Sequence, residues 1–310
     1  MNNNPIRLLF VVNPISGGID KEPFLNKAGT LCYKYGIDYL VFRTSGSNDQ
    51  SALCKVLEEY KPDKVASIGG DGTALFTALA LLDFNIPMGI IPMGSANGMA
   101  AELSVNMNPM SALKDIVMSG VIGCLDLLVV NDKYYSIHIG DVGVNAQIVH
   151  AYDKDDNRGL ITYAKYLIEE LSKMEPFDIR VEANGETINE TGVMVAICNS
   201  RKYGTGVPLN VCGNPMDGKF ELVIVKKIDT TVLISAGLSR FNESFRDNVN
   251  EQVISTNKAR IEFSEERLLQ LDGEVIGNFK ELDVNVLEGA IKLITNNDNP
   301  YVRGKKHLDR

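Results

Sequence analysis

The residues best suited to chemistry lie in Val65-Ala66-Ser67-Ile68-Gly69-Gly70-Asp71-Gly72-Thr73. Val65 and Ile68, set among small residues, read as a short buried strand. The run that starts at Thr73 and continues through Ala74–Leu82 is apolar on nearly all faces, the pattern of a helix packed inside a protein. Between strand and helix, Gly69 and Gly70 clear the turn of side chains. Such a turn gathers backbone N–H groups at the start of the helix dipole, where phosphate oxygens bind. Asp71 is the one charged group in it. A carboxylate beside a phosphate is repulsive unless a cation lies between them, so the pattern predicts magnesium at Asp71. The ordinary alternative is a carboxylate that caps the helix. Asn13-Pro14-Ile15-Ser16-Gly17-Gly18 forms a second turn of phosphate size. His138 and His150 have neither metal spacing nor a Ser or Cys nucleophile motif around them, and both read as structural.

These turns need a scaffold, and the first 120 residues describe one. Ile6–Val12 is a continuous apolar strand of the kind buried on both faces of a sheet. A helix at Pro23–Tyr35, a strand at Ile37–Arg43 and a helix at Gln50–Tyr60 lead to the strand before Gly69. Strand Met88–Ile91 then enters the turn Pro92-Met93-Gly94-Ser95-Ala96-Asn97-Gly98, followed by helices at Met99–Leu103 and Met110–Met118. Strands alternating with helices imply a parallel sheet, whose ligands sit outside the carboxyl ends of its strands. The turns at Asn13–Gly17, Thr44, Gly69–Thr73 and Gly94–Asn97 all belong to that edge. From Val121 the texture changes to strand-like runs: Leu125–Val130, Tyr134–Ile139, Phe177–Ala183, Val193–Asn199, Phe220–Lys226, Lys258–Phe263, Leu268–Leu271, Leu282–Leu287 and Ile291–Thr295. Asn184-Gly185 is a strong hairpin signal. Helices at Gly159–Met174 and Thr230–Phe241 interrupt a mostly antiparallel β-sandwich domain. The expected division is residues 1–122, 123–295 and a polar tail 296–310, with the last strand returning toward the first domain.

Composition narrows the classes. Apolar content of 45% and charged content of 23% are those of a globular protein, and 310 residues favour two domains. A net charge of −9 argues against a general nucleic-acid binder. Five scattered cysteines without Cys-x-x-Cys spacing read as reduced, mostly buried thiols of a cytoplasmic protein. No apolar run approaches the roughly 20 residues that span a bilayer. Any membrane contact is expected to be transient and at the surface. The helices at Leu160–Leu171 and Val232–Leu238 are amphipathic; packing on the sheet is the plain reading, a lipid-lined pocket the other. Arg303–His307 is a short basic cluster that anionic headgroups would attract. An exposed edge of the β domain is a candidate homodimer surface.

Taken in order, Asn13-Pro14-x-Ser16-Gly17, Gly69-Gly70-Asp71-Gly72-Thr73 and Pro92-x-Gly94-Ser95-x-Asn97 resemble the diacylglycerol kinase catalytic domain superfamily, which includes sphingosine and ceramide kinases. Downstream, Leu271-Asp272-Gly273-Glu274, Asn214-Pro215-Met216-Asp217-Gly218-Lys219-Phe220 and Ile139-Gly140 to Val144-Asn145-Ala146 are similar to further elements of that superfamily, so the match covers nearly the whole chain. The resemblance implies an NAD kinase/diacylglycerol kinase-like α/β domain followed by a β-rich lipid domain, and transfer of phosphate from ATP to a lipid hydroxyl in the cleft between them. It implies that Asn13, Pro14, Ser16, Gly17, Thr44, Gly69, Gly70, Gly72, Thr73, Gly94, Ser95 and Asn97 hold the nucleotide. Glu274 would be the base that takes the hydroxyl proton, and Asp71 would place a catalytic Mg2+. Asp217, with Asn214 and the Lys219 carbonyl, would match a structural Mg2+ site; a plain turn before Gly218 is the alternative. The chain departs from the pattern at Leu75 and Phe76, where Asn and Glu are common, and at Gly98, where many diacylglycerol kinases carry Asp. Gly94-Ser95-Ala96-Asn97 is closer to the sphingosine and ceramide kinases, which leaves the lipid alcohol open. NAD kinase and a nucleotide-binding relative without transferase activity are the competing readings.

Overall fold

A computed structural model describes residues 5–143, 174–203, 207–208, 210, 212–228 and 249–303. The chain forms two compact units, Met1–Leu125 with Gly289–Arg310, and Asp126–Glu288.

The first unit is an α/β domain. Its strands β1 (Arg7–Val12), β2 (Asp38–Arg43), β3 (Lys64–Gly69) and β4 (Met88–Pro92) lie in the order 2-1-3-4, all parallel. Helices α1 (Glu22–Lys34), α2 (Asp49–Tyr60), α3 (Asp71–Leu81), α4 (Gly98–Glu102) and α5 (Pro109–Met118) connect and cover them. Sequence chemistry sets the helix ends. Asn108 caps α5, its side chain accepting from the Met110 and Ser111 amides at 3.0 and 3.1 Å, with Pro109 in the first turn. One core face joins Leu8, Phe10 and Val12 of β1 with Ala66, Ile68 and Ile91, closed by Phe24, Leu25 and Ala28 of α1 and Leu113 and Ile116 of α5. Leu9, Val11 and Val65 point the other way and are equally buried, which is why these strands read as unbroken apolar runs. No residue from Thr73 to Leu82 is exposed, as expected for a helix with no polar face.

The second unit is antiparallel. Beyond β5 (Ile122–Val130), which enters it from the first unit, come β6 (Tyr134–Ser136), β7 (Ile139–Val142), β8 (Phe177–Ala183), β9 (Glu186–Gly192), β10 (Met194–Cys198), β11 (Lys202–Tyr203), β12 (Val207–Pro208), β13 (Phe220–Ile228), β14 (Val249–Thr256), β15 (Lys258–Leu271) and β16 (Glu274–Ile294). One layer runs β14-β13-β10-β7-β15 and the other β9-β8-β15-β16. Strand β15 serves both: its first half pairs with β8 and its second with β7, with a register shift between Glu262 and Arg267. Val195, Ile197, Leu222 and Ile224 meet Ile179, Val181, Ile261 and Leu282 in the sandwich core.

Several elements differ from expectation for physical reasons. Tyr134–Ile139, one apolar run in sequence, is two strands, because the amides of Ile137 to Ile139 turn onto the carboxylate of Asp272. Lys258–Phe263 and Leu268–Leu271 are one strand, as are Leu282–Leu287 and Ile291–Ile294. Strands β9 and β14 have no counterpart among the expected runs; β9 alternates polar residues on an exposed face. Residues 289–295 belong with the first unit rather than the second, since Leu293 pairs with Met88 in parallel. All five cysteines are free; Cys32 and Cys198 are buried, Cys54 is half-buried, and Cys124 and Cys212 are exposed, so the thiols are less buried than expected. Among the described residues no helix is long and apolar enough to cross a membrane. The elements expected at Val144–Ala146, Gly159–Met174 (save Met174) and Thr230–Phe241, and also His150 and Gly304–His307, lie outside the described residues.

The β8–β9 hairpin turns on Asn184 (φ 54°) and Gly185 (φ 78°), with Ala183 opposite Glu186. A branched side chain is strained in that conformation. Gly185→Val should therefore lower the unfolding free energy by about 1–2 kcal/mol, read as a lower urea midpoint; an unchanged midpoint would contradict the turn geometry.

Candidate active site

Because the strands of the first unit are parallel, the turns after β1, β2, β3 and β4 all leave the same edge of the sheet. Three of them touch. Gly17 (φ 63°) has no room for a side chain: a methyl group there would stand 2.9 Å from Gly94 C and from the Met93 carbonyl oxygen. A methyl group on Gly94 would stand 2.3 Å from Gly70 Cα. Gly69 must also be bare, because the Thr73 hydroxyl oxygen would lie 2.2 Å from its Cβ. The glycines thus let three main chains stack. The Thr44 amide is held on the Val12 carbonyl at 2.9 Å, at the same edge. Gly72 and Ser95 are exposed there.

Each turn is braced by a side chain. Asn13 accepts from the Ile15 amide at 3.2 Å. Lys21 is buried, and its ammonium group donates to the carbonyls of Ser16 and Ile19, drawing the Ser16–Gly18 turn together from beneath. Burial pushes the Lys21 ammonium below its usual range. Asn97, left-handed at φ 54°, clasps Gly94: its Oδ1 accepts from the Gly94 amide at 2.8 Å and its Nδ2 donates to the Gly94 carbonyl at 3.0 Å. Asp71 accepts from the Gly98 and Met99 amides, both at 2.8 Å, so it caps α4, the helix after the third turn, rather than α3, in which it lies. Gly98 supplies one of those amides. The Thr73 and Ala74 amides of α3 donate to the Gly70 carbonyl at 3.1 and 3.0 Å, and the amides ahead of them stand at the start of the helix dipole, where a phosphate oxygen is a favoured acceptor.

The turn residues fit an anion, and Asp71 fits a hydrated cation beside it. Each of its oxygens keeps a lone pair after accepting one amide. Mg2+ usually takes only one or two carboxylates together with water and phosphate oxygens. Among the described residues no group of three or more His, Cys, Asp or Glu is placed to hold a metal ion by itself.

In the second unit, Leu271 pairs with Glu274 across a two-residue turn, Asp272 (φ 50°) and Gly273 (φ 85°). This is a tight hairpin, the usual use of Asp-Gly. The Asp272 carboxylate accepts from the Ser136 hydroxyl at 2.7 Å and from the amides of Ile137, His138 and Ile139 at 2.9, 3.0 and 3.1 Å. Burial pushes the Asp272 carboxyl up, against the pull of those donors. The hairpin tip is thereby locked to the β6–β7 connection, and Glu274, one residue beyond, is exposed. Asp272 was legible as part of a motif; its nest of amides was not.

The Asn214–Lys219 loop is built from short-range turns. Asn214 accepts from the Met216 amide and Asp217 from the Lys219 amide, each at 3.1 Å. Partial shielding from water pushes the Asp217 carboxyl up. Buried Asp126, absent from the expected site, braces the loop by accepting from the Gly218 amide at 2.8 Å. The signal for it was a single carboxylate inside the apolar run Leu125–Val130. Lys21 carried no comparable signal.

The stacking at Gly94 makes a direct test. Gly94→Ala should cost about 1–3 kcal/mol of stability, the range for overpacking, and should lower the melting temperature; a variant as stable as the parent would show that the turns are not in contact.

Known proteins resemble this chain along most of its length. Residues 7–129 match the diacylglycerol kinase catalytic domain, and residues 139–295 match the YegS C-terminal NAD kinase beta sandwich-like domain. A diacylglycerol kinase of Bacillus subtilis is 25% identical over 87% of this chain and 90% of its own length. A "Probable lipid kinase YegS-like" protein of Pectobacterium atrosepticum is 28% identical over 94% of this chain and 96% of its own. The fold is shared with a crystal structure of a diacylglycerol kinase from Bacillus anthracis, at a TM-score of 0.72 and 20% identity, covering 96% of this chain and all of that one (100%). The chain therefore belongs to the family in which a diacylglycerol kinase catalytic domain is followed by a YegS-type β-sandwich domain.

Proposed function

We propose that this protein is an ATP-dependent lipid kinase that transfers the γ-phosphoryl group to the hydroxyl of a lipid alcohol. The observation that carries the proposal is the stacking of Gly17, Gly70 and Gly94, which brings the turns after three parallel strands together at one edge of the sheet. Phosphoryl transfer asks mainly for positioning and for neutralisation of spreading charge, and turns braced by Asn97, Asp71 and Lys21 supply the positioning. Asn13, Ser16, Gly17, Thr44, Gly70, Gly72, Thr73 and Ser95 hold the nucleotide. Mg2+, when bound near Asp71, neutralises charge on the phosphates. Glu274 takes the proton from the acceptor hydroxyl; the new bond joins that oxygen to the γ-phosphorus, and the bond to the β,γ-bridging oxygen breaks to release ADP. The lock on Asp272 fixes the turn from which Glu274 projects. An acceptor of this class resides in a membrane, so the protein acts from the cytoplasmic surface through transient contact. Leu75, Phe76 and Gly98 set it apart from typical diacylglycerol kinases, and a sphingoid base is an acceptor class as compatible as diacylglycerol.

Radiolabelled ATP offered with a panel of lipid alcohols, and separately with NAD, should place label in an extractable lipid; label in NAD would overturn the acceptor class. Glu274→Gln should reduce turnover by about two to four orders of magnitude while ADP affinity stays within twofold. Loss of both together would show that Glu274 is structural. Chelation of divalent ions should stop transfer, and full activity in chelator would remove Mg2+ from the mechanism.

A further inference from the structure

The short helix α4 follows directly on the Gly94–Asn97 turn and has only 5 residues. A helix of that length has no stability of its own, so its position must come from what holds its ends. Asp71 holds the first end through the Gly98 and Met99 amides. The last residue is Glu102, whose side chain is removed from water, with 1% exposure. A carboxylate so placed requires donors from the protein. One comes from the far end of the chain: the Tyr301 hydroxyl donates to Glu102 Oε1.

Tyr301 lies in α6 (Pro300–Arg303), and the segment leading to it is fastened at every step. The Ser119 hydroxyl donates to the Thr295 carbonyl at 2.6 Å. Asn296 donates to Asp115 of α5 at 3.2 Å and to the Ser104 carbonyl, just past α4, at 3.4 Å. Asn299 is wholly buried; its Nδ2 donates to Thr295 Oγ1 at 3.1 Å, and its Oδ1 accepts from the Tyr301 amide at 2.9 Å. These residues continue from β16, whose Leu293 is registered against Met88 of β4.

We infer that Tyr301 and Glu102 are positioning residues for the nucleotide turn. The link is short. Tyr301 fixes Glu102 at one end of α4, Asn97 at the other end clasps Gly94, and Gly94 stacks on Gly70 and Gly17. A segment remote in sequence from every phosphate turn thus sets the height at which the third turn meets the other two. The link itself is a property of the fold; its effect on ligand binding rests on the kinase reading above.

Two measurements on the full chain separate those layers. Hydrogen–deuterium exchange of the unliganded protein should show residues 98–105 exchanging about tenfold faster in Tyr301→Phe, while residues 64–81 are unchanged. Calorimetric titration with ADP should show affinity weakened about five- to tenfold, a part of what one buried hydrogen bond to a carboxylate contributes to the fold. Glu102→Ala should reproduce that loss, and Glu102→Gln, which keeps an oxygen for the Tyr301 hydroxyl, should recover most of it. A merely structural tail would lower the melting temperature and leave ADP affinity alone. Unchanged exchange at 98–105, or faster exchange with ADP affinity within twofold of the parent, overturns the inference. A parent protein that binds no ADP sinks the nucleotide reading instead, and the exchange pattern then decides the mechanical link by itself.

Discussion

Peptide backbones from three separate turns can touch only where none of them carries a Cβ. Gly17, Gly70 and Gly94 meet this condition at the carboxyl edge of the first unit's sheet, and the rest of that unit is arranged to keep them there. Parallel pairing of β1, β3 and β4 brings the turns to one edge. The apolar faces of those strands, packed on α1 and α5 on one side, stop the strands from sliding. A side chain at Gly94 would force two turns apart and with them the amides that a phosphate needs.

Carboxylates recur as clamps on main-chain amides. Asp49 accepts from Ser45 and Gly46 ahead of α2, Asp71 from Gly98 and Met99, Asp126 from Gly218, and Asp272 from three successive amides and a hydroxyl. Each is a charge-assisted hydrogen bond across a turn or between distant segments, stronger than its neutral counterpart. In the first unit these clamps hold the turns at the carboxyl edge of the sheet; in the second they hold the loops on which Glu274 and Asp217 stand. An acidic protein can thus spend part of its negative charge inside, ordering irregular backbone rather than covering a surface.

Local pattern made much of this legible. The buried strand at Val65–Ile68, the apolar helix after Thr73 and the alternation of strands and helices to Met118 all follow from the spacing of apolar residues and glycines, and the resemblance to the lipid kinases rests on the same short motifs. Interactions across long stretches of chain were not legible. The apolar run Tyr134–Ile139 breaks because of an aspartate far downstream, and β9 is a strand despite its polar face.

By itself, then, the order of residues determined the two kinds of domain and the glycine turns, since each depends on neighbours within a few positions. Only the tertiary structure decided that Asp71 grips the helix of another turn, that Lys21 lies beneath the first turn, and that Tyr301 reaches Glu102. Those choices depend on which distant atoms packing brings within hydrogen-bond range, and a carboxylate or hydroxyl carries no mark in sequence of the partner it will meet.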